Sequence, residues 1–243
     1  MVTPVVISAN QEKKHSYSDL YLKDELMRSQ LFTLIKENTK VMQGCDNFTD
    51  SLRVAYLYEK TLDEQEARDI MQALLFAAKK HKDQTRKDKD KTPYIIHPIG
   101  VADYILGSER CTDKDTIIAA FLHDTLEDTE TIKEEIKEMF GRNVMSMVLE
   151  VTDDKSLSKK EVRKRQIETA PLKTEGAAFI KFADKLYNCR DFIYRTPVGY
   201  SQEKVKEYLL HAKEMTDSLP SVAPGLKNLL DCEIEKFLSS CGP

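Results

Sequence analysis

Apolar residues recur at three- and four-residue spacing along most of the chain and nowhere alternate convincingly, so the pattern predicts helices and no strands. Ile70, Met71, Leu74, Leu75 and Ala78 line one face of a helix over 63–81, opened by the capping box Thr61-Leu62-Asp63-Glu64. Residues 82–92 form a charged loop. His97-Pro98 opens a helix at about 99–107, and another starts at Thr112 and carries Ile117, Ile118, Phe121 and Leu122. Thr131 to Glu134 and Ser158 to Glu161 read as two further capping boxes, and Gly141 stands where a helix should stop. Helices near 143–152, 159–169, 175–193, 202–218 and 225–239 follow. Upstream, residues 1 to about 19 are loose and polar. A helix bearing Met27, Leu31, Leu34 and Ile35 comes next, then a turn from Gly44 to Thr49 and a short helix over 50–60. The expected organisation is an N-terminal extension, 1–60, and an all-α domain, 61–243, built as a helical bundle or orthogonal helix array. The Met27 stripe is a candidate surface for homo-oligomer formation.

Composition sharpens this. Gly and Pro are scarce, at 8 each in 243 residues, which suits helices better than a many-turned sandwich. The formal net charge of −4 gives no general case for a nucleic-acid partner. The 5 cysteines are odd in number and form no CxxC pair, which argues against a disulfide framework or zinc ribbon and for a reducing compartment. No apolar run approaches the ~20 residues of a membrane span, and the first residues lack the charged and apolar regions of a signal peptide. A cytoplasmic protein without a membrane partner is the expectation.

Chemistry gathers at three places. His123-Asp124-Thr125-Leu126-Glu127-Asp128 ends an apolar stretch, and i, i+4 geometry pairs His123 with Glu127 and Asp124 with Asp128. Tyr94-Ile95-Ile96-His97-Pro98 supplies a second histidine. Asp184 sits among Ile180, Phe182, Ala183 and Leu186, where a carboxylate costs free energy unless a cation or donor meets it. Two imidazoles and two carboxylates make a mixed nitrogen and oxygen site of the kind that suits Mn, Fe or Zn. Asn188, four residues after Asp184, projects to the same face, with Lys185 and Tyr187 as lesser candidates beside it. The loop from Lys82 to Lys91 carries five cations and three anions and leads straight to His97. Arg86 and Lys87 are its candidates for a phosphate-rich, small-molecule ligand.

In order and spacing, these pieces resemble the HD superfamily. More closely still, they resemble the hydrolase domain of the RelA/SpoT alarmone enzymes, in particular the small stand-alone metazoan SpoT homologs. Arg86-Lys87-Asp88, the run from Thr92 to Ala102, the run from Leu122 to Thr129, Val151 to Lys155, and Ala183 to Asn188 carry the likeness, which spans about 65–240. The resemblance implies an HD-domain fold and removal of the 3′-pyrophosphate of guanosine 3′,5′-bis(diphosphate), ppGpp. It also implies an NADPH 2′-phosphatase activity and a part in starvation responses. By the same carry-over, His97, His123, Asp124 and Asp184 hold one divalent metal ion, usually manganese. Glu127 and Asp128 are the catalytic acidic pair, and Arg86, Lys87 and Asn188 contact the nucleotide. The first 60 residues have no counterpart in the small homologs. Ile96 stands where some of them carry Asn, and no segment after residue 200 is long enough for a synthetase domain. Two other readings stay open: an HD-type nucleotidase or cyclic-nucleotide phosphodiesterase, and a nucleotide-binding regulator that does not hydrolyse.

Overall fold

A buried carboxylate in the middle of a helix needs a helix that is itself central, and the fold provides one. The computed structural model describes residues 64–109, 111 and 113–240. The helices expected before residue 61, the Met27 stripe and the Thr61 cap lie outside these residues. Nine α-helices follow one another among the described residues: α1 (Glu64–Lys80), α2 (Ile96–Tyr104), α3 (Lys114–Leu122), α4 (Thr125–Asp128), α5 (Lys133–Val151), α6 (Lys159–Thr169), α7 (Glu175–Tyr194), α8 (Gln202–Asp217) and α9 (Pro224–Ser240). No strand occurs among them, and the all-α expectation holds.

α3 and α7 form the centre. Every residue from Thr116 to Leu122 in α3 is buried, because α1, α2, α5 and α7 all pack on it. A helix apolar all round can only be an interior one. α7 runs between α2, α5, α8 and α9, and buries Ala177 through Tyr187 without a break. The Asp113 carboxylate starts α3 by accepting from the Thr116 amide at 2.9 Å.

Two boundary expectations divide. Ser158 and Glu161 close the capping box of α6, the Ser158 amide donating to Glu161 Oε2 at 2.9 Å. Thr131 does not cap α5. That helix begins after Ile132, and the Thr131 amide and hydroxyl are engaged by Thr129 Oγ1 at 3.1 and 2.7 Å. Gly141 interrupts α5 at φ 89°, a backbone region that favours glycine, so the expected stop is a kink between two helical segments.

The 82–92 loop is tightly built despite its charge. Arg86 N–H donates to Thr92 O at 2.7 Å and Tyr94 N–H to Gln84 O at 2.9 Å. Asp88 is buried beneath it and accepts from both the amide and the hydroxyl of Thr92, at 3.0 and 2.6 Å. The loop therefore delivers Arg86 and Tyr94 in fixed positions to the start of α2.

α2 meets α7 at Gly100. A Cβ there would lie 2.1 Å from Tyr187 Cε2, so only glycine lets the two helices approach this closely. Alanine favours a helix over glycine by roughly 1 kcal/mol, but overpacking costs about 1–3 kcal/mol. Gly100→Ala is expected to lower stability by up to about 2 kcal/mol net, read as a drop in melting temperature. An unchanged or higher melting temperature would show that Tyr187 yields without cost.

Candidate metal centre

Three helices bring four side chains to one point. His97 lies in the first turn of α2, His123 and Asp124 follow the end of α3, and Asp184 sits in the middle of α7. His97, His123 and Asp184 alone place donor atoms within 4.8 Å of one another. Asp124 Oδ2 adds a fourth, 3.0 Å from His123 Nε2 and 3.3 Å from His97 Nε2. Asp184 Oδ1 is 3.2 Å from His97 Nε2, and the two Nε2 atoms are 3.2 Å apart.

These atoms are poorly matched to each other without a cation. His123 Nδ1 faces the Ala120 carbonyl at 2.8 Å, so that nitrogen carries the proton and Nε2 presents a lone pair. The lone pair looks at a second imidazole nitrogen and two carboxylate oxygens. With the rings neutral, all four groups converge as acceptors, which is the arrangement a divalent ion with nitrogen and oxygen preference satisfies. The electrostatics agree. Burial pulls His123 down, but the charge and hydrogen bond of Asp124 and the charge of Asp184 outweigh it, and its pKa is pushed up to about 9. Asp184 is held below the usual carboxylate range: burial opposes this, and Lys185, His97 and His123 overcome it. Asp124 is held down likewise by both histidines, against burial. The site draws in positive charge.

Neighbouring groups fix the ligands. Tyr94 OH donates to Asp124 Oδ2 at 2.7 Å, and burial, then Asp124, keeps this phenol protonated. Asn188 Nδ2 donates to Asp184 Oδ1 at 2.5 Å. The His97 ring stands against Tyr187, centroids 4.9 Å apart. His81 stacks on Tyr94, ring centroids 4.9 Å apart.

The acidic pair is placed by a break that the helix argument did not include. α3 stops at Leu122, and Asp124 (φ −96°, ψ −4°) starts the single turn of α4. Asp124 and Asp128 are still brought together, both reaching Tyr94 OH, at 2.7 and 3.4 Å. Glu127 turns to the loop after α5, where its Oε2 accepts from the Asp153 amide at 3.0 Å. Its carboxyl is pushed up to about 6, mainly by burial, with the Asp153 amide partly offsetting this. Asp128 Oδ1 pairs with Lys155 at 2.8 Å, half in solvent.

Of the three expected nucleotide contacts, Arg86 and Asn188 meet and Lys87 stands apart. The Arg86 guanidinium, largely buried, donates to Asp191 Oδ2 at 3.0 Å through Nε and to Asn188 Oδ1 at 2.6 Å. It lies over the rings of Tyr94 and Tyr187 at 5.4 and 5.7 Å. Lys87 is exposed, and its carbonyl accepts from Val198 N–H at 2.9 Å. Asn188 therefore bridges Arg86 to a metal ligand. Sequence reasoning missed Tyr94, Asp153, Lys155 and Asp191. The signal was available for Tyr94, three residues before His97, and for Asp191, seven after Asp184 on the same helical face. Cys189 is fully buried and its thiol is pushed up to about 12 by that burial, so it is inert packing.

Comparison with known proteins adds three findings. The protein-family model for the HD domain matches residues 73–215. Guanosine-3′,5′-bis(diphosphate) 3′-pyrophosphohydrolase MESH1 of Xenopus tropicalis is 48% identical over 162 residues, covering 67% of this chain and 90% of that protein. Its Homo sapiens counterpart is 45% identical over 165 residues, covering 68% and 92%. A solved structure, described as a metazoan ortholog of SpoT that hydrolyses ppGpp and plays a role in starvation responses, superposes with a TM-score of 0.66 at 38% identity. It covers 72% of this chain and 96% of that one.

Proposed function

This chain belongs to the HD-domain family, and from that premise we propose that it is a metal-dependent hydrolase cutting guanosine 3′,5′-bis(diphosphate) and water to GDP and pyrophosphate. One observation carries the reading: four atoms of metal-ligating type converge near Glu127 and Asp128, on a chain 48% identical over 162 residues to a pyrophosphohydrolase.

A divalent ion, for which we assign manganese, would be held by His97, His123, Asp124 and Asp184, and when bound it polarises a phosphoryl oxygen and acidifies water. The protein's own groups do the rest. Tyr94 and Asn188 hold the two carboxylate ligands in place through the bonds described above. Glu127 has one oxygen anchored by the Asp153 amide, which leaves the other to carry a proton. With a pKa near 6 it can accept that proton from water and return it as the bond breaks. Water's oxygen adds to the 3′-linked phosphorus, the bond from that phosphorus to the ribose 3′-oxygen breaks, the 3′-oxygen takes a proton, and pyrophosphate leaves. Asp128, tied to Lys155 and close to Asp124, orients water or the leaving oxygen.

We place the protein in the cytoplasm, where the free thiols Cys111, Cys189 and Cys232 remain reduced. No helix among the described residues is long and apolar enough to cross a membrane. The test incubates purified protein with Mn²⁺ and, in turn, ppGpp, NADPH and a cyclic nucleotide, followed by chromatography. Pyrophosphate and GDP from ppGpp are expected. Preferred turnover of the cyclic nucleotide, or turnover of none, would overturn the assignment.

A further inference from the structure

Two lysines of α7 that flank Asp184 in sequence have no use in the scheme above. Lys181 and Lys185 are each only 7% exposed. Lysine is almost never buried to that degree unless paired. They lie one turn apart, at i and i+4, and so share a face of the helix, with Asp184 at i+3 from Lys181. The Lys185 ammonium is 3.7 Å from Asp184 Oδ2, an oxygen of a metal ligand, and 5.9 Å above the Tyr208 ring. Lys181 has no hydrogen bond among the described residues and no carboxylate within ion-pair distance.

The surroundings register this positive charge. Lys173 is held below the usual lysine range, by burial first and by Lys181 next. On α8, His211 is driven down to about 4, by burial first and then by Lys185 and Arg163. Across from α7, the Glu127 carboxylate feels Lys181 as well. The site's other cations are already engaged: Arg86 by Asp191 and Asn188, Lys155 by Asp128. Lys181 has no partner among the described residues, and Lys185 has only the Asp184 carboxylate at 3.7 Å, a group that would also hold the metal, so both ammonium groups can take up an anion beside the metal centre.

Resting on the proposed function, we infer that Lys181 and Lys185 seat the outer phosphoryl group of the 3′-diphosphate, the part that departs as pyrophosphate. The seat selects a diphosphate over a single phosphate at that end of the substrate, because a lone phosphoryl group held at the metal centre leaves no second one for the ammonium groups. Each lysine donates charge-assisted hydrogen bonds to it.

The experiment measures binding of inorganic pyrophosphate and of orthophosphate to the manganese-loaded protein by calorimetry, for the parent, Lys181→Met, Lys185→Met and Lys181→Arg. Steady-state turnover of ppGpp and bound metal are measured alongside. Each methionine variant is expected to weaken pyrophosphate binding by about 10- to 100-fold and to raise KM for ppGpp. Orthophosphate binding and metal content should change little, and Lys181→Arg should recover most of the loss. Melting temperature separates this from a structural role: Lys181→Met, which breaks no hydrogen bond or ion pair among the described residues, leaves it equal or higher, whereas a lysine that holds the fold together would lower it. The two methionine variants are independent, so either one that folds decides. Parent-like pyrophosphate affinity in a folded, metal-loaded variant, with ppGpp still turned over, would overturn the seat alone. A parent that neither turns over ppGpp nor binds pyrophosphate would overturn the proposed function, and the seat with it.

Discussion

Asp184→Ala is expected to lower pyrophosphate release from ppGpp at least about a thousandfold, because loss of a metal's charge stabilisation is a matter of several kcal/mol. Asp184 is the ligand that α7 alone provides, and its Oδ1 is the oxygen nearest His97 Nε2, at 3.2 Å. Two readouts tie the loss to the metal. Bound manganese, measured on the protein, should vanish in the variant. The melting temperature of the parent should fall on chelation and that of the variant should not, since an ion at 100 times its dissociation constant stabilises by about 2.7 kcal/mol. The effect depends on pH in a definite sense. His123 has its folded pKa raised, from 6.5 to about 9, in the metal-free protein. Its protonation stabilises that state fully below pH 6.5, and the contribution is lost as pH rises through about 9. The metal displaces this proton, so the gap in melting temperature between loaded and metal-free protein should widen from about pH 6.5 to about pH 9. A variant that keeps metal and activity would disprove the assignment of Asp184.

Glu127→Gln should reduce kcat by about 10²- to 10⁴-fold while metal content and KM stay near those of the parent. The amide keeps the shape and still accepts from the Asp153 amide, but cannot take a proton. In the parent, kcat/KM should fall on the acid side with a midpoint near pH 6, since the raised carboxyl of Glu127 is protonated below it. An ordinary exposed glutamate would put that limb near pH 4.3. If the limb lies there, or if the glutamine variant retains its rate, Glu127 does not move the proton.

Much of this was legible before any coordinates. Helical periodicity gave the course of α1, α6, α7, α8 and α9 within a residue or two, since their apolar stripes are long and their caps local. The ligands could be read because an aspartate amid Ile180, Phe182 and Leu186 is out of place without a cation. Other features needed the chain to fold. The i, i+4 argument assumed one helix from His123 to Asp128. The break at Asp124 keeps Asp124 beside Asp128 but sends Glu127 to Asp153, 26 residues on. Thr131 has the composition of a cap, yet Thr129 takes its hydroxyl first. Arg86 reads as a free phosphate binder until Asp191, 105 residues away, claims it. Lys181 carries no signal of its own in the sequence, and only packing shows that it is buried.

The hydrogen-bonded run from Asp191 through Arg86 and Asn188 to Asp184 links the 82–92 loop to the metal centre. An occupant of the loop that shifts any member of this run would make loop and centre thermodynamic partners. Whatever factor an occupied loop adds to the affinity for the ion, the bound ion returns to the affinity of the loop for its occupant. Metal availability would then set how tightly nucleotide is retained as well as how fast it is cut, and a shortage of the ion would lower capture and turnover together.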